Sequence, residues 1–195
     1  MKIFKITFLA ALVLLVFTGC DTNDDDFYNS EYITIPNLVQ IQTQATYNVG
    51  DYLYVNASIN RLQTEAGQTT QLDIRKTTNN APSFSFSYML EKKVNADWIL
   101  VDANLSTIDL DNGQFESGSF YNATAVFDTQ SDSYEFLNGV KLTTTGQYRL
   151  SFGYNSSSTN LVEMRSNSVN GAIFLNLLTT TNNLDADGFY NFTVN

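Results

Sequence analysis

The sequence predicts an all-β domain, a single antiparallel β-sandwich over residues 31–195. Three observations carry this. From Glu31 onward, apolar and polar residues alternate with a period of two, as half-buried strands require. Short clusters of Gly, Asn, Asp, Ser and Thr separate the alternating runs, where turns belong. No eleven-residue window in this region keeps an apolar face at helical spacing with caps, although Arg61–Gly67 fits a single turn.

An extended run over 32–42 comes first. After an Asn48-Val49-Gly50-Asp51 turn, Leu53, Val55, Ala57 and Ile59 alternate with Tyr54, Asn56 and Ser58. Phe84, Phe86, Tyr88 and Leu90 then alternate with Ser85, Ser87, Met89 and Glu91. Asn95-Ala96-Asp97 reads as a hairpin turn into Trp98-Ile99-Leu100-Val101. Further strands are expected over 114–127, 134–143, 146–154, 161–165, 171–179 and 188–194. The run Gly171–Leu178 is apolar on both faces and should form a central strand. Thr, Ser and Asn cluster at 77–80, 155–160, 166–170 and 179–183, which read as loops. Many short strands with turns between them argue for two packed antiparallel layers.

Gly146-Gln147-Tyr148-Arg149-Leu150 has a glycine, a tyrosine two residues on, and a core residue two beyond that. This spacing resembles the start of strand F in immunoglobulin-like sandwiches, where a tyrosine hydroxyl bonds back to the backbone and pins a corner. The resemblance implies an immunoglobulin-like sandwich, with Leu150 where antibody domains carry a cysteine. Trp98 follows the 95–97 turn rather than sitting mid-strand, and no cysteine pair exists. The other reading of Tyr148 is an ordinary core residue alternating with Leu150 and Phe152.

The first thirty residues are of another kind. Lys2 and Lys5 make a basic start, Ile6–Phe17 is an uncharged, largely apolar run, and Phe17-Thr18-Gly19-Cys20 follows. About twelve apolar residues are too few to span a bilayer but suit a cleaved secretory leader. Cys20 is the only cysteine. Small residues before a lone cysteine are what lipoprotein processing needs: cleavage ahead of Cys20, then acylation, palmitate included. The expected organisation is a leader at 1–19, a lipidated cysteine and acidic tether at 20–30, and the β domain at 31–195. A secreted chain with an unmodified cysteine is the other reading, and Phe17 stands where an aliphatic residue is usual.

The tether Asp21-Thr22-Asn23-Asp24-Asp25-Asp26 is too charged and too poor in apolar surface to fold. Here the chain resembles lipoproteins of the Bacteroidetes group, in which an acidic stretch after the acylated cysteine accompanies export to the outer face of the outer membrane. That resemblance implies a surface location, with Asp24, Asp25 and Asp26 as the export signal. A plain flexible spacer is the alternative. The stretch from Tyr47-Asn48-Val49-Gly50-Asp51 through 83–90 to Trp98 also resembles uncharacterised surface lipoproteins of flavobacteria, which implies location and fold but no activity.

Charge and composition exclude several functions. The formal charge is −10, and losing Lys2 and Lys5 with the leader makes it −12. Such a surface repels nucleic acid, whose binding rests on Lys and Arg. No histidine occurs, which removes histidine general bases, Ser-His-Asp and Cys-His nucleophiles, and histidine-ligated zinc. Carboxylate chemistry survives, such as glycoside hydrolysis by two Asp/Glu, but no spacing marks a pair. The expectation is therefore a non-enzymatic envelope lipoprotein that touches the membrane only through its anchor and binds or assembles with an extracellular protein or glycan. The alternatives are an accessory glycan-binding lipoprotein of a polysaccharide-uptake system and a two-carboxylate hydrolase.

Two site motifs stand out. Asn183-Leu184-Asp185-Ala186-Asp187-Gly188 sets oxygen side chains at positions 1, 3 and 5 with glycine at 6, as EF-hand calcium loops do. Position 12 is Val194 rather than glutamate, and Asp187-Gly188 between two apolar runs reads equally as a hairpin turn. Asn183, Asp185 and Asp187 are thus candidate Ca²⁺ ligands, the only cofactor suggested. Asp109-Leu110-Asp111-Asn112-Gly113 reads as a second acidic turn. Aromatic residues are 13% of the chain, nearly all Tyr and Phe. Tyr52, Tyr54, Tyr121 and Tyr134 occupy positions where a polar-face ring could stack on a sugar. The competing reading is strand packing, which favours the same residues.

Overall fold

The computed structural model describes residues 29–102, 108–116, 120–152, 161–168 and 173–195. Cys20, Asp24–Asp26 and the leader lie outside these residues, as do 153–160 and 169–172. Among the described residues the fold is nearly all β. The first half comprises β1 (Ser30–Thr34), β2 (Val39–Gln42), β3 (Tyr52–Asn60), β4 (Leu62–Gln63), β5 (Leu72–Asp73), β6 (Ser83–Val94), β7 (Asp97–Leu100) and β8 (Ile108–Asn112). Then follow β9 (Gln114–Glu116), β10 (Tyr121–Asp128), β11 (Ser133–Lys141), β12 (Gly146–Ser151), β13 (Leu161–Ser166), β14 (Phe174–Thr180) and β15 (Phe189–Val194). One helical turn, α1 (Ile74–Thr77), lies between β5 and β6.

Thirteen strands form one curled sheet in the order β1-β14-β13-β6-β10-β11-β3-β2, with β7 and β12 also on β6, β15 on β12, β8 on β11 and β9 on β10. Its two ends are consecutive pieces of chain. β1 pairs with β14, and residues 35–38 lead straight into β2, which pairs with β3. The Ile35 and Asn37 amides continue the first ladder by donating to Leu178 and Thr180 carbonyl oxygens at 3.0 Å, and the Leu38 amide donates to Thr179 Oγ1 at 2.9 Å. The sheet therefore curls until its ends meet.

Two expectations change here. The sheet is mixed rather than purely antiparallel, because β1 runs parallel to β14. The run over 32–42 is two strands, because Pro36 has no amide hydrogen for a ladder and Asn37 turns the chain at φ 62°.

β6 is the spine. Its first half pairs with β10 and, at Phe84 and Ser85, with β13; from Met89 it pairs with β12 and from Glu91 with β7. Alternation decides which side chains face in. Phe84, Phe86, Tyr88 and Leu90 are buried, as are Leu53, Val55, Ala57 and Ile59 of β3 and Tyr134, Phe136 and Val140 of β11. Their rings interlock: Phe84 meets Tyr134 edge-on at 4.9 Å, Phe86 meets Phe136 edge-on at 5.3 Å, and Tyr88 stacks on Tyr121 at 5.1 Å. β14 is paired on both sides and buries Leu175, Asn176 and Leu177, as its doubly apolar sequence predicts.

The remaining differences are local. Asp109–Asn112 belongs to β8, not to a turn; β11 supplies its backbone partners through a bulged ladder, so the segment needs little apolar content of its own. The turn falls at Gly113, φ 84°, where an added Cβ would stand 2.5 Å from the Thr124 carbonyl oxygen. The run over 114–127 is likewise interrupted between β9 and β10. The helical turn forms at Ile74–Thr77 rather than within 61–67, because Asp73 caps it by accepting from the Lys76 amide at 3.0 Å and Ile74 anchors it in the core.

Candidate functional site

Of the four tyrosines with sugar-stacking potential, two are internal. Tyr121 and Tyr134 are both 0% exposed, and their hydroxyls donate to the carbonyl oxygens of Val101 (2.8 Å) and Ala81 (2.9 Å). Strand packing has claimed them, which removes them from any surface site. Burial raises both phenol pKa values, by removing water from the charged form.

Tyr52 and Tyr54 do lie on the outer face of β3, half-buried, with ring centroids 5.9 Å apart. The Tyr54 ring covers Gly139, its cross-strand partner, where an added Cβ would come within 2.6 Å of the ring. Its hydroxyl donates to Asp109 Oδ2 at 2.7 Å, and Lys141 Nζ lies 5.9 Å from the Tyr52 ring. Both tyrosines are thus occupied by packing and polar partners of their own.

The 183–188 motif forms the turn entering β15. Asp185 Oδ1 accepts from the amides of Asp187 (3.0 Å) and Phe189 (2.9 Å), and Oδ2 accepts from Asn191 Nδ2 at 2.6 Å. The Gly188 amide donates to the Asp185 carbonyl oxygen at 3.1 Å. Three N–H donors directed at one carboxylate make a side-chain-stabilised turn, but not the hairpin expected between two paired strands, because β14 pairs with β1 and β13 while β15 pairs with β12.

One concave surface coincides with no local sequence motif. A groove of about 720 Å³ opens on the outer face of the sheet where β9, β10, β6 and β13 lie side by side. Paired residues of neighbouring strands point to the same face, so register alone sets a row across it: Gln114, Thr124, Ser85, Arg165 and then Asn176. The middle of the row carries short side chains and the flanks long ones, which makes the surface concave. Its floor is a hydroxyl network. Ser85 Oγ lies 3.2 Å from Thr124 Oγ1, and Asn167 Nδ2 donates to Ser83 Oγ (2.8 Å) and Ser85 Oγ (2.9 Å).

Glu116 rises on one wall and Glu163 with Arg165 on the other. The Arg165 guanidinium stacks 4.6 Å from the Phe174 ring centroid, which steadies it without using up its donors. Among the described residues, Arg165 forms no ion pair, and the side chains of Gln114, Glu116, Asn122 and Glu163 hydrogen-bond to none of them. Beside the groove, β13 pairs with β6 only at Phe84 and Ser85, and β6 pairs with β12 from Met89. The alternation of Ser83, Ser85 and Ser87 with buried aromatics was the one sequence signal for it.

On the other half of β6, the Arg149 guanidinium lies between the Trp98 ring (4.4 Å) and the Phe189 ring (4.1 Å), and Nε donates to Glu91 Oε2 at 2.6 Å. This stack ties β7, β12 and β15 together across their outer face. Its members lie far apart along the chain and are brought together only by strand pairing. No family model, curated protein or solved structure matches the chain.

Proposed function

We propose that this chain is a cell-envelope lipoprotein, anchored through acyl chains on Cys20, whose β domain acts by binding or assembly rather than by catalysis. The observation that carries the reading is Cys20 itself: the only cysteine, placed just after an apolar leader and ahead of an acidic stretch. Several acyl chains on one residue hold a protein at a membrane where a single chain would not. β1 begins ten residues after Cys20, and a chain of that length spans at most about 35 Å, so the domain stays close to the bilayer. The acidic run Asp24–Asp26 favours the outer face of the outer membrane, as in the Bacteroidetes lipoproteins it resembles.

The fold reading that goes with this is an immunoglobulin-like β-sandwich. Its support is the Tyr148 hydroxyl, which donates to the Thr144 carbonyl oxygen four residues upstream at the start of β12, and the first chain segment, which changes partner from β14 to β3.

Mass spectrometry of the polypeptide isolated from its cells tests the anchor. A mature amino terminus at Cys20 carrying acyl chains is expected, and Cys20→Ala should abolish incorporation of a palmitate analogue. A retained leader, or an unmodified amino terminus, overturns the reading. Protease shaving of intact cells should remove the domain, and resistance until lysis overturns the surface location.

A further inference from the structure

We infer that the groove between β9 and β13 is a binding site for a neutral oligosaccharide. The inference deepens the binding role proposed above by assigning it a site and a ligand class.

Chemistry selects the ligand. Small-molecule sites of roughly 300–1,000 Å³ are usually lined mostly by apolar groups. This one, at about 720 Å³, includes Phe86 and Ala123, but the rest of its lining carries hydroxyls, amides, two carboxylates and a guanidinium. An apolar ligand entering it would strip water from those groups and return nothing. Each wall group with no hydrogen-bond partner among the described residues needs, once a ligand displaces its water, a ligand atom that can donate or accept as required. The carboxylates of Glu116 and Glu163 accept only, the guanidinium of Arg165 donates only, and the amides of Gln114 and Asn122 do both. A sugar hydroxyl is at once donor and acceptor, and adjacent hydroxyls match the two-pronged geometry of carboxylate, amide and guanidinium.

Charge excludes the neighbouring classes. Two glutamates against one arginine, on a chain of formal charge −10, repel anionic ligands. A single metal ion is also a poor fit. Glu116 and Glu163 rise from strands three spacings apart, about 14 Å across the sheet, so they bracket a ligand longer than one ring rather than converging on one centre. The floor is preorganised, since Ser83, Ser85, Thr124 and Asn167 are bonded to one another and leave little to order on binding.

The test is calorimetric titration of the full chain, held in detergent, with hexasaccharides of glucose, xylose and mannose in α and β linkages, and oligogalacturonate as the anionic control. Saturable binding of at least one neutral oligosaccharide is expected. Glu163→Gln and Gln114→Ala should each weaken it, and Arg165→Ala should weaken it by at least about tenfold. Melting curves identify any variant that has lost its fold, and the other two wall changes keep the test decisive if Arg165→Ala unfolds. Tyr52→Ala with Tyr54→Ala should leave binding unchanged. No binding by any neutral member, preference for oligogalacturonate, or dependence on Tyr52 and Tyr54 instead of the groove residues each overturns the assignment. Release of reducing ends, abolished by Glu163→Gln, overturns it in favour of a two-carboxylate hydrolase. Acylation at Cys20 is read independently, so an empty groove on a lipidated protein refutes this inference alone.

Discussion

The Tyr148 hydroxyl donates to the carbonyl oxygen of Thr144 at 2.9 Å, and the Thr144 hydroxyl lies 2.8 Å from the same phenol oxygen while accepting from Lys92 Nζ at 2.7 Å. The side chain that enters the core on β12 therefore also fixes the loop that precedes it. Gly146 completes the corner at φ 136°, a conformation that favours glycine. Tyr148→Phe keeps the ring and its stack on Phe192 but leaves the carbonyl without this donor. The expected cost is about 1–2 kcal/mol, seen as a Tm lowered by roughly 3–6 °C. An unchanged Tm would mean that the corner contributes nothing to stability.

Asp73 caps α1 and receives Arg61, whose Nη2 lies 2.8 Å from Oδ2. The Arg61 hydrogen bond, and then the Lys76 amide, lower its pKa to about 2. A carboxyl with a folded pKa below its unfolded value adds stability above the unfolded pKa of roughly 4, and that stability fades as pH falls toward 2. Asp73→Ala should cost about 1–2 kcal/mol at pH 7, mostly through the cap, since the ion pair is solvent-exposed. The difference from the parent chain should shrink between pH 4 and pH 2. Denaturant melts at several pH values check this, and a constant difference would contradict it.

Tyr47, Tyr88 and Tyr121 are buried phenols whose pKa values burial pushes well above the usual 10. A group with a raised folded pKa contributes its full stability below the unfolded pKa and loses it as pH rises past that value. Stability should therefore hold to about pH 10 and fall above it. Absorbance of tyrosinate near 295 nm should show these phenols ionising together with unfolding, not before it. Independent titration of all eleven tyrosines near pH 10 would contradict their burial.

Asp185 holds the turn into β15 through three N–H donors. Asp185→Ala should destabilise the chain by about 1–2 kcal/mol. Because those donors already face the carboxylate, millimolar Ca²⁺ should leave the parent Tm unchanged. A calcium-dependent rise of several degrees, lost in Asp185→Ala, would instead make the turn a cation site.

Much of the strand content could be read directly from alternation. Leu53 to Ile59 and Phe84 to Leu90 face the core as their spacing requires, since period two leaves a half-buried strand little choice of face. The acidic β8 and the two-residue β4 and β5 gave no such signal, because they are held by a partner's backbone rather than by their own apolar residues. The same limit hid the candidate groove: Ser85 was plainly an outward residue, but nothing local places it beside Thr124 and Arg165.

An all-β body and the inward side of its main strands were legible in the chain alone, because both follow from local periodicity. The sequence also carried the whole argument for the anchor. Long-range packing set the rest: β1 runs parallel to β14, Tyr121 and Tyr134 are internal, and a largely polar groove crosses four strands. Those depend on register between segments tens of residues apart, set by which buried faces fit together rather than by any neighbouring residues.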